Sequence, residues 1–422
     1  MKAMKIQELK DGWVIIVATF LQYVLGYPAN ILPMCGILFA PKYEEFGTSG
    51  TVSMNIVSIF VGPLVKAKSP RFVANLATSC QVLGILICSF SGSTFVIMIG
   101  FGIFVGAGVG ISLVNNIIIV KKHFQNSIGI AFGTALTCIC LAGLLIPQIL
   151  KTLIEYFRGH NDVLNQWTLF IYAIMGCVGF LGAMLMTSEP GNEEAVPMDL
   201  ESEQEESEFK QTCKEIIILL KDPDYVVTAV VNSCCFSIMV YFISLIGTIA
   251  SSRNLEEESS NLVTIFSAAN ALSLLPMGFL GDSTIFKSFF KFPRKSLYIV
   301  CCIGLTFTIL LFSFISSFPL LVVGTILCAI FTSGMFITTS LVYFDCFPTK
   351  FESAVGLSNL FRCISALSIN PLAGYFASLS SCGDLHCSLH FLSGTIFLLI
   401  LAWVGMTVLF ERRQKRPHLE NV

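Results

Sequence analysis

The sequence predicts an all-α polytopic membrane protein with twelve transmembrane helices in two six-helix lobes. Hydrophobic residues make up 55% of the 422 and charged residues 12%, with a mean hydropathy of +0.79. An ordinary soluble domain carries about 25% charge. Apolar runs of about 20 residues recur along the chain, long enough to cross a ~30 Å hydrocarbon core. One long polar segment, Glu189 to Asp224, divides these runs into six and six. The formal net charge is −2 and no basic stripe is present, so the expected surroundings are a lipid bilayer and no nucleic acid.

In order, the candidate spans cover about 13–40, 51–66, 73–91, 95–120, 127–154, 166–188, 225–250, 261–281, 296–315, 319–344, 352–380 and 388–411. The second is the weakest, because Pro63, Lys66 and Lys68 close it early. The first 12 residues hold no signal-peptide pattern, so the first span is expected to direct insertion. The expected domains are an N-terminal lobe (1–188), a cytoplasmic linker (189–224), a C-terminal lobe (225–411) and a cytoplasmic tail (412–422). The linker is acidic first, a composition that predicts disorder. Around Lys214 to Lys221 it becomes amphipathic, with Ile216, Ile217, Leu219 and Leu220 suiting a helix on the inner membrane surface.

Basic residues set the orientation. All of the 25 except Lys42, Lys151, Arg158, Arg253 and Arg362 fall in segments on the side of the N-terminus, which places both termini in the cytoplasm. A plasma-membrane location is expected. Most of the 16 cysteines lie inside spans, as Cys138, Cys140, Cys234, Cys235, Cys301 and Cys302 do, where a small apolar thiol packs well. Cys382 and Cys387 fall in a predicted outer loop. A disulfide or free thiols are the leading readings there, and a zinc site with His386 and His390 is the sharper alternative. No cofactor is expected.

Six spans, a linker and six spans form the layout of a two-lobed secondary transporter, with the solute site at midplane between the lobes. Arg362 is the most informative residue for that site. It enters an otherwise uncharged run, Ser353 to Ser380, roughly 15 Å from the nearer end at helical rise. An arginine at such depth costs at least ~2.5 kcal/mol and faces a bundle interior, a partner or a water-filled path. It is either a binding group for an anionic substrate or a structural arginine satisfied by helix-end carbonyls or a polar neighbour. Tyr27 and Asn30 in span one, Asn232 in span seven, Asn270 in span eight and Asn370 in span eleven are midspan polar candidates to complete a pocket. Each asparagine also has a structural reading, an interhelical hydrogen bond worth about 0.6–2 kcal/mol. That reading is preferred for Asn370, which precedes Pro371.

Gly102, Gly106 and Gly110 give span four a GxxxGxxxG face suited to close helix packing. Asp282 and Asp345, at the inner ends of spans eight and ten, are gating candidates. Lys287 or Lys291 would partner Asp282 and Lys350 would sit near Asp345, with a solvated helix end as the plain alternative. There is no GxxxxGK[ST] loop, no HExxH motif, and no grouping of the five histidines with acids inside a span. An enzyme is therefore not expected, and accumulation would draw on a gradient.

Several strings narrow the class. DGWVIIVATFLQYVLGYPANILPMCGILF (11–39), NNIIIVKKHFQNSIGIAFGTALTCICLAG (115–143), LLKDPDYVV (219–227) and FPTKFESAVGLSNLFRCISALSINPLAGYF (347–376) occur in this order. Together they resemble the animal monocarboxylate transporter family of the major facilitator superfamily, as a diverged member. The resemblance implies alternating access and a small organic anion as substrate. It also implies protons as a coupling ion and, for some members, a single-span accessory protein. Three departures qualify this. The family's lysine near the end of span one falls here at about Ile31 to Pro33, and its span-eight aspartate and arginine read Asn270 and Leu274 with Gly278 as anchor. The basic pair before span five is Asn126 and Ser127. The fold carries over, whereas proton-coupled lactate transport does not follow. The expectation is a secondary-active or facilitative transporter of a small organic anion, a monocarboxylate by resemblance. The alternatives are a transport-inactive receptor or partner protein, and a facilitator of a neutral or aromatic solute.

Overall fold

The computed structural model describes residues 12–23, 43–90, 93–124, 127–157, 164–186, 198–253, 255–283, 293–378 and 385–415. Its first lobe holds α1 (Gly12–Tyr23), α2 (Tyr43–Ala67), α3 (Pro70–Phe90), α4 (Phe95–His123) and α5 (Ile128–Phe157). It ends with α6 (Leu164–Gly176, resumed as Val178–Leu185 after a turn at Cys177). The linker helix is α7 (Met198–Lys221). The second lobe holds α8 (Pro223–Ser251), α9 (Glu256–Asp282), α10 (Pro293–Phe312), α11 (Phe318–Cys346), α12 (Phe351–Ser378) and α13 (His386–Lys415). The described residues form helices and no strands.

Eight of these helices are long and apolar enough to cross a membrane, and α1, α5 and α6 hold shorter apolar stretches. The remaining lobe helix, α12, is 28 residues long, and its serines, two asparagines, Glu352 and Arg362 dilute its hydropathy. Span two, the weakest in the sequence, is a full helix that continues through Pro63 to Ala67. Where the acidic part of the linker is described, from Met198 onward, it departs from the expected disorder and is helical; residues 189–197 lie outside the described residues. Glutamate is a good helix former, which lets an acidic run extend a helix anchored at its other end. That anchor is packing: Thr212 and Leu219 are buried where α7 meets the ends of α2, α8 and α12. The chain then turns sharply into α8, with Asp222 accepting from the Asp224 N–H at 3.0 Å and Pro223 opening the helix.

Inside the lobes, small residues set helix spacing. A Cβ on Gly106 would come within 2.6 Å of Gly50 O, and one on Gly110 within 2.2 Å of Met54 O, so span four lies directly on α2 as its glycine face suggests. Met98–Val105 of α4 is wound as a π-helix. Serine and threonine hydroxyls donate back to carbonyls four residues earlier, as Thr325 does to Leu321 O at 2.8 Å, which satisfies them without water. The second lobe has its own core of Phe242, Tyr298, Leu305, Phe312 and Trp403, with Trp403 Nε1 donating to Thr228 Oγ1 at 3.3 Å. A separate apolar cluster is shared between lobes. It joins Phe124, Ile128 and Phe132 to Tyr225, Leu341, Tyr343 and Phe351. This cluster lies at the end of the bundle where α7 sits, here termed the linker face. Cys387 is disulfide-bonded, and Cys382 lies outside the described residues.

Candidate functional site

Two constellations stand out, one midway along the second lobe and one at the linker face. The first is built where α8 and α12 run side by side. Ser233 Oγ donates to Ser358 O at 3.1 Å, Cys234 Sγ meets Ser365 Oγ at 3.3 Å, and Ser237 Oγ donates to Arg362 O at 3.4 Å. These short polar side chains hold the two helices in register and fix where Arg362 projects. Its guanidinium carbon lies 4.3 Å from the ring centre of Phe236, and Nη1 donates to Asn359 Oδ1 at 3.1 Å. Phe236 in turn meets Phe336 of α11 edge-on, with centroids 5.4 Å apart. The cation therefore sits half-buried on an aromatic wall, an arrangement that restrains the guanidinium.

Asn232 lies one turn before Phe236 and is 1% exposed, with both amide atoms lacking a hydrogen-bond partner among the described residues. The Tyr343 hydroxyl sits among Asn232, Ser358 and Arg362 without meeting hydrogen-bond geometry. The structure thus brings Arg362 and Asn232 into one neighbourhood. Asn270 serves a different junction. Its Nδ2 donates to Cys140 Sγ at 3.2 Å and its Oδ1 accepts from Ser333 Oγ at 2.5 Å, tying α9 to α5 and α11. Tyr27 and Asn30 lie outside the described residues. Phe236, Asn359 and Tyr343 were not singled out in the sequence. The i, i+3 spacing of Asn359 and Arg362 on one helix is the signal that could have found Asn359, whereas Phe236 and Tyr343 lie on other helices and carry no such signal.

At the linker face the lobes meet along two seams. In the α5/α9 seam, backbones touch: a Cβ on Gly278 would fall 2.5 Å from Gly129 O, and one on Gly133 would fall 2.8 Å from Leu274 O. Asp282 closes this seam. Its Oδ2 accepts from the Ile130 N–H at 3.0 Å, in the first turn of α5. Its Oδ1 lies 3.2 Å from Arg294 Nη2, and Arg294 Nη1 lies 2.6 Å from Asp345 Oδ1. Arg294 also donates from Nε to Gly281 O at 3.3 Å. Asp282 and Asp345 thus converge on Arg294, whereas Lys287 and Lys291 lie outside the described residues. Arg294 hid in the sequence because it and Asp282 sit on different helices and no periodicity links them.

In the α2/α12 seam the glycines approach less closely. A Cβ on Gly62 would meet Glu352 C at 3.5 Å, and one on Gly356 would meet Ser58 O at 3.1 Å. The charges here are Lys66, 3.5 Å from Glu215 of α7 and 3.9 Å from Glu352 of α12. Lys121 of α4 donates to Pro348 O at 3.4 Å and stands 4.6 Å over the Phe351 ring.

The sequence profile described as "Major Facilitator Superfamily" matches residues 14–256 and 244–422. An MFS transporter, asaE, from Aspergillus flavus is 24% identical over 400 residues, covering 92% of this chain and 80% of that protein. Monocarboxylate transporter 12 of Xenopus laevis is 22% identical over 439 residues, covering 96% and 90%. Human monocarboxylate transporter 14 is 24% identical over 203 residues, 45% of this chain and 38% of its own length. Among solved structures, the transporter FucP in the outward conformation superposes with a TM-score of 0.67 at 13% identity, covering 93% of this chain and 97% of that one. A likeness at that identity speaks for the fold, while the profile covers nearly the whole sequence: the chain belongs to the Major Facilitator Superfamily.

Proposed function

We propose that the chain is an alternating-access transporter of a small organic anion, with Arg362 as the group that receives the anionic end. The carrying observation is the placement of Arg362: midway along a bundle helix, half-buried, and held on Phe236 by Asn359. A fixed guanidinium in a low-dielectric site attracts an anion far more strongly than one in water, and its planar fork matches a carboxylate. Asn232 and Tyr343 line the same region with polar groups that can orient the rest of a ligand. Asn270 acts in this reading as a brace that positions α9 and α11, and Tyr27 and Asn30 stay as proposed ligand contacts for the same substitution test. Asp282, Asp345 and Arg294 hold the linker face closed while the opposite face admits solute. The linker face is cytoplasmic and the membrane is the plasma membrane. The substrate class follows the monocarboxylate transporter relatives and is a monocarboxylate, with protons as the coupling ion to be tested.

The experiment is uptake of labelled small acids, including lactate, pyruvate, ketone bodies and aromatic acids, by cells expressing the chain. Arg362→Ala and Arg362→Lys are run alongside at two external pH values and matched surface expression. Loss of a charge-assisted contact worth about 1.5–3 kcal/mol predicts a roughly 10- to 100-fold fall in uptake for Arg362→Ala and a smaller fall for Arg362→Lys. Stimulation by outside acid would add proton coupling. Uptake by wild type that survives Arg362→Ala unchanged would remove the anion site from this residue. A second reading, a neutral aromatic solute with Arg362 as a structural brace, draws on the Phe236–Phe336 pair beside the cation. It predicts uptake of uncharged aromatic compounds that is insensitive to Arg362→Lys.

A further inference from the structure

The linker helix is tied to both lobes through one carboxylate. Glu215 Oε2 accepts from Ser353 Oγ of the second lobe at 2.6 Å and lies 3.5 Å from Lys66 Nζ of the first. Gln211 Nε2 donates to the other oxygen, Oε1, at 3.4 Å, which steadies the carboxylate from within α7. The side chains of Lys66 and Glu215 are 23% and 13% exposed, so the pair is shielded from solvent far better than a surface ion pair. Packing fixes the helix that presents it. Thr212, Ile216 and Leu219 share the face of Glu215 and turn toward the bundle, while Lys210, Lys214 and Lys221 are exposed.

The charge pattern explains why a third element is needed. Lys66 faces the start of α12, where the unsatisfied N–H groups of a helix carry partial positive charge and disfavour a cation. Glu352 in the first turn of α12 answers it at 3.9 Å, and Glu215 answers it more closely. The linker helix is also only one residue, Asp222, from α8, the helix that carries Asn232 and Phe236. Movement of α7 is therefore transmitted by covalent connection to the helix lining the central site.

We propose that α7 is a latch on the α2/α12 seam: Glu215, bound to Lys66 and Ser353 at once, holds this half of the linker face closed and must release one lobe before it opens. The proposal needs no solute and stands apart from the choice of substrate. It is tested with the full chain in lipid nanodiscs, carrying a fluorophore pair on unnatural amino acids at the exposed positions Ser69 and Thr349, read by single-molecule energy transfer. Glu215→Gln is expected to raise the fraction with separated ends about fivefold, the shift that corresponds to losing one partly buried pair. Lys66→Gln, which also loses the longer contact to Glu352, is expected to shift at least as far, and the double variant no further than Lys66→Gln alone, since both changes remove the shared Lys66–Glu215 pair. Lys214→Gln, on the exposed face of α7, is expected to leave the distribution unchanged. An unshifted distribution in Glu215→Gln, additive shifts in the double variant, or an equal shift in Lys214→Gln would each overturn the latch. If Glu215→Gln does not fold, Ser353→Ala takes its place, with a shift in the same direction supporting the proposal and none overturning it.

Discussion

At the α5/α9 seam a carboxylate, Asp282, sits four residues after Gly278 and accepts from an N–H in the first turn of α5. At the α2/α12 seam the residue four after Gly62 is Lys66, a cation set against the first turn of α12. The two seams occupy corresponding places in the two lobes, and the exchange of sign makes them unlike. Asp282 is favoured by the end of α5, is neutralised by Arg294 and needs nothing outside the two helices and the start of α10. Lys66 is disfavoured by the end of α12 and draws on Glu352 and on the linker. One seam is complete by itself, and the other is conditional on α7. Closure of the linker face can thus be tuned at one edge without dismantling the other.

The largest effect that separates the seams is expected from Arg294→Ala. It leaves Asp282, which is 8% exposed, without its cation. Stranding a buried charge costs about 3–5 kcal/mol, so the thermal midpoint of the purified protein should fall clearly and the α5/α9 ends should separate. Arg294→Lys keeps the charge and loses the fork, and should fall between the two. A midpoint unchanged in Arg294→Ala would show that Asp282 is held by the helix end alone.

The next effect is steric. In Gly278→Ala the new methyl would stand 2.5 Å from a backbone oxygen, and backbone cannot swing aside as a flexible side chain can. Overpacking of this kind costs about 1–3 kcal/mol. The same fluorescence measurement, with labels moved to the α5/α9 edge, should show the separated state gaining population. If Gly278→Ala packs without a shift, the tight approach is not what closes this seam.

Much of this was legible in the sequence and some was not, for physical reasons. Hydropathy and the polar divide give the lobes, because lipid forces backbone polar groups into helices and lets length be read directly. The GxxxGxxxG face gives the α2/α4 contact, because only a residue without a Cβ fits at 2.2 Å from Met54 O. Arg362 announces itself by the cost of its depth. Its neighbours Phe236 and Tyr343 do not, because an aromatic residue in an apolar span has no pattern that separates wall from core. Arg294 and Glu215 are invisible for another reason. Their partners lie on another helix or in another lobe, and periodicity reports only what shares a helix. The helical acidic half of α7 shows a related limit, since composition predicted disorder and docking at Thr212 and Leu219 supplied the anchor.

The smallest effect carries the comparison furthest. At Gly62 an added Cβ would meet Glu352 at 3.5 Å, which is ordinary contact, so Gly62→Ala introduces no clash. Alanine is favoured over glycine inside a helix by about 0.8–1.0 kcal/mol, a term that acts against the clash at Gly278 and is unopposed at Gly62. Gly62→Ala should therefore leave the midpoint level or slightly raised, with the closed population unchanged. A fall as deep as that of Gly278→Ala would mean the α2/α12 seam is also closed by backbone contact. Charge would then have no special part there, and Lys66 with its two acids would be a consequence of closure rather than its cause.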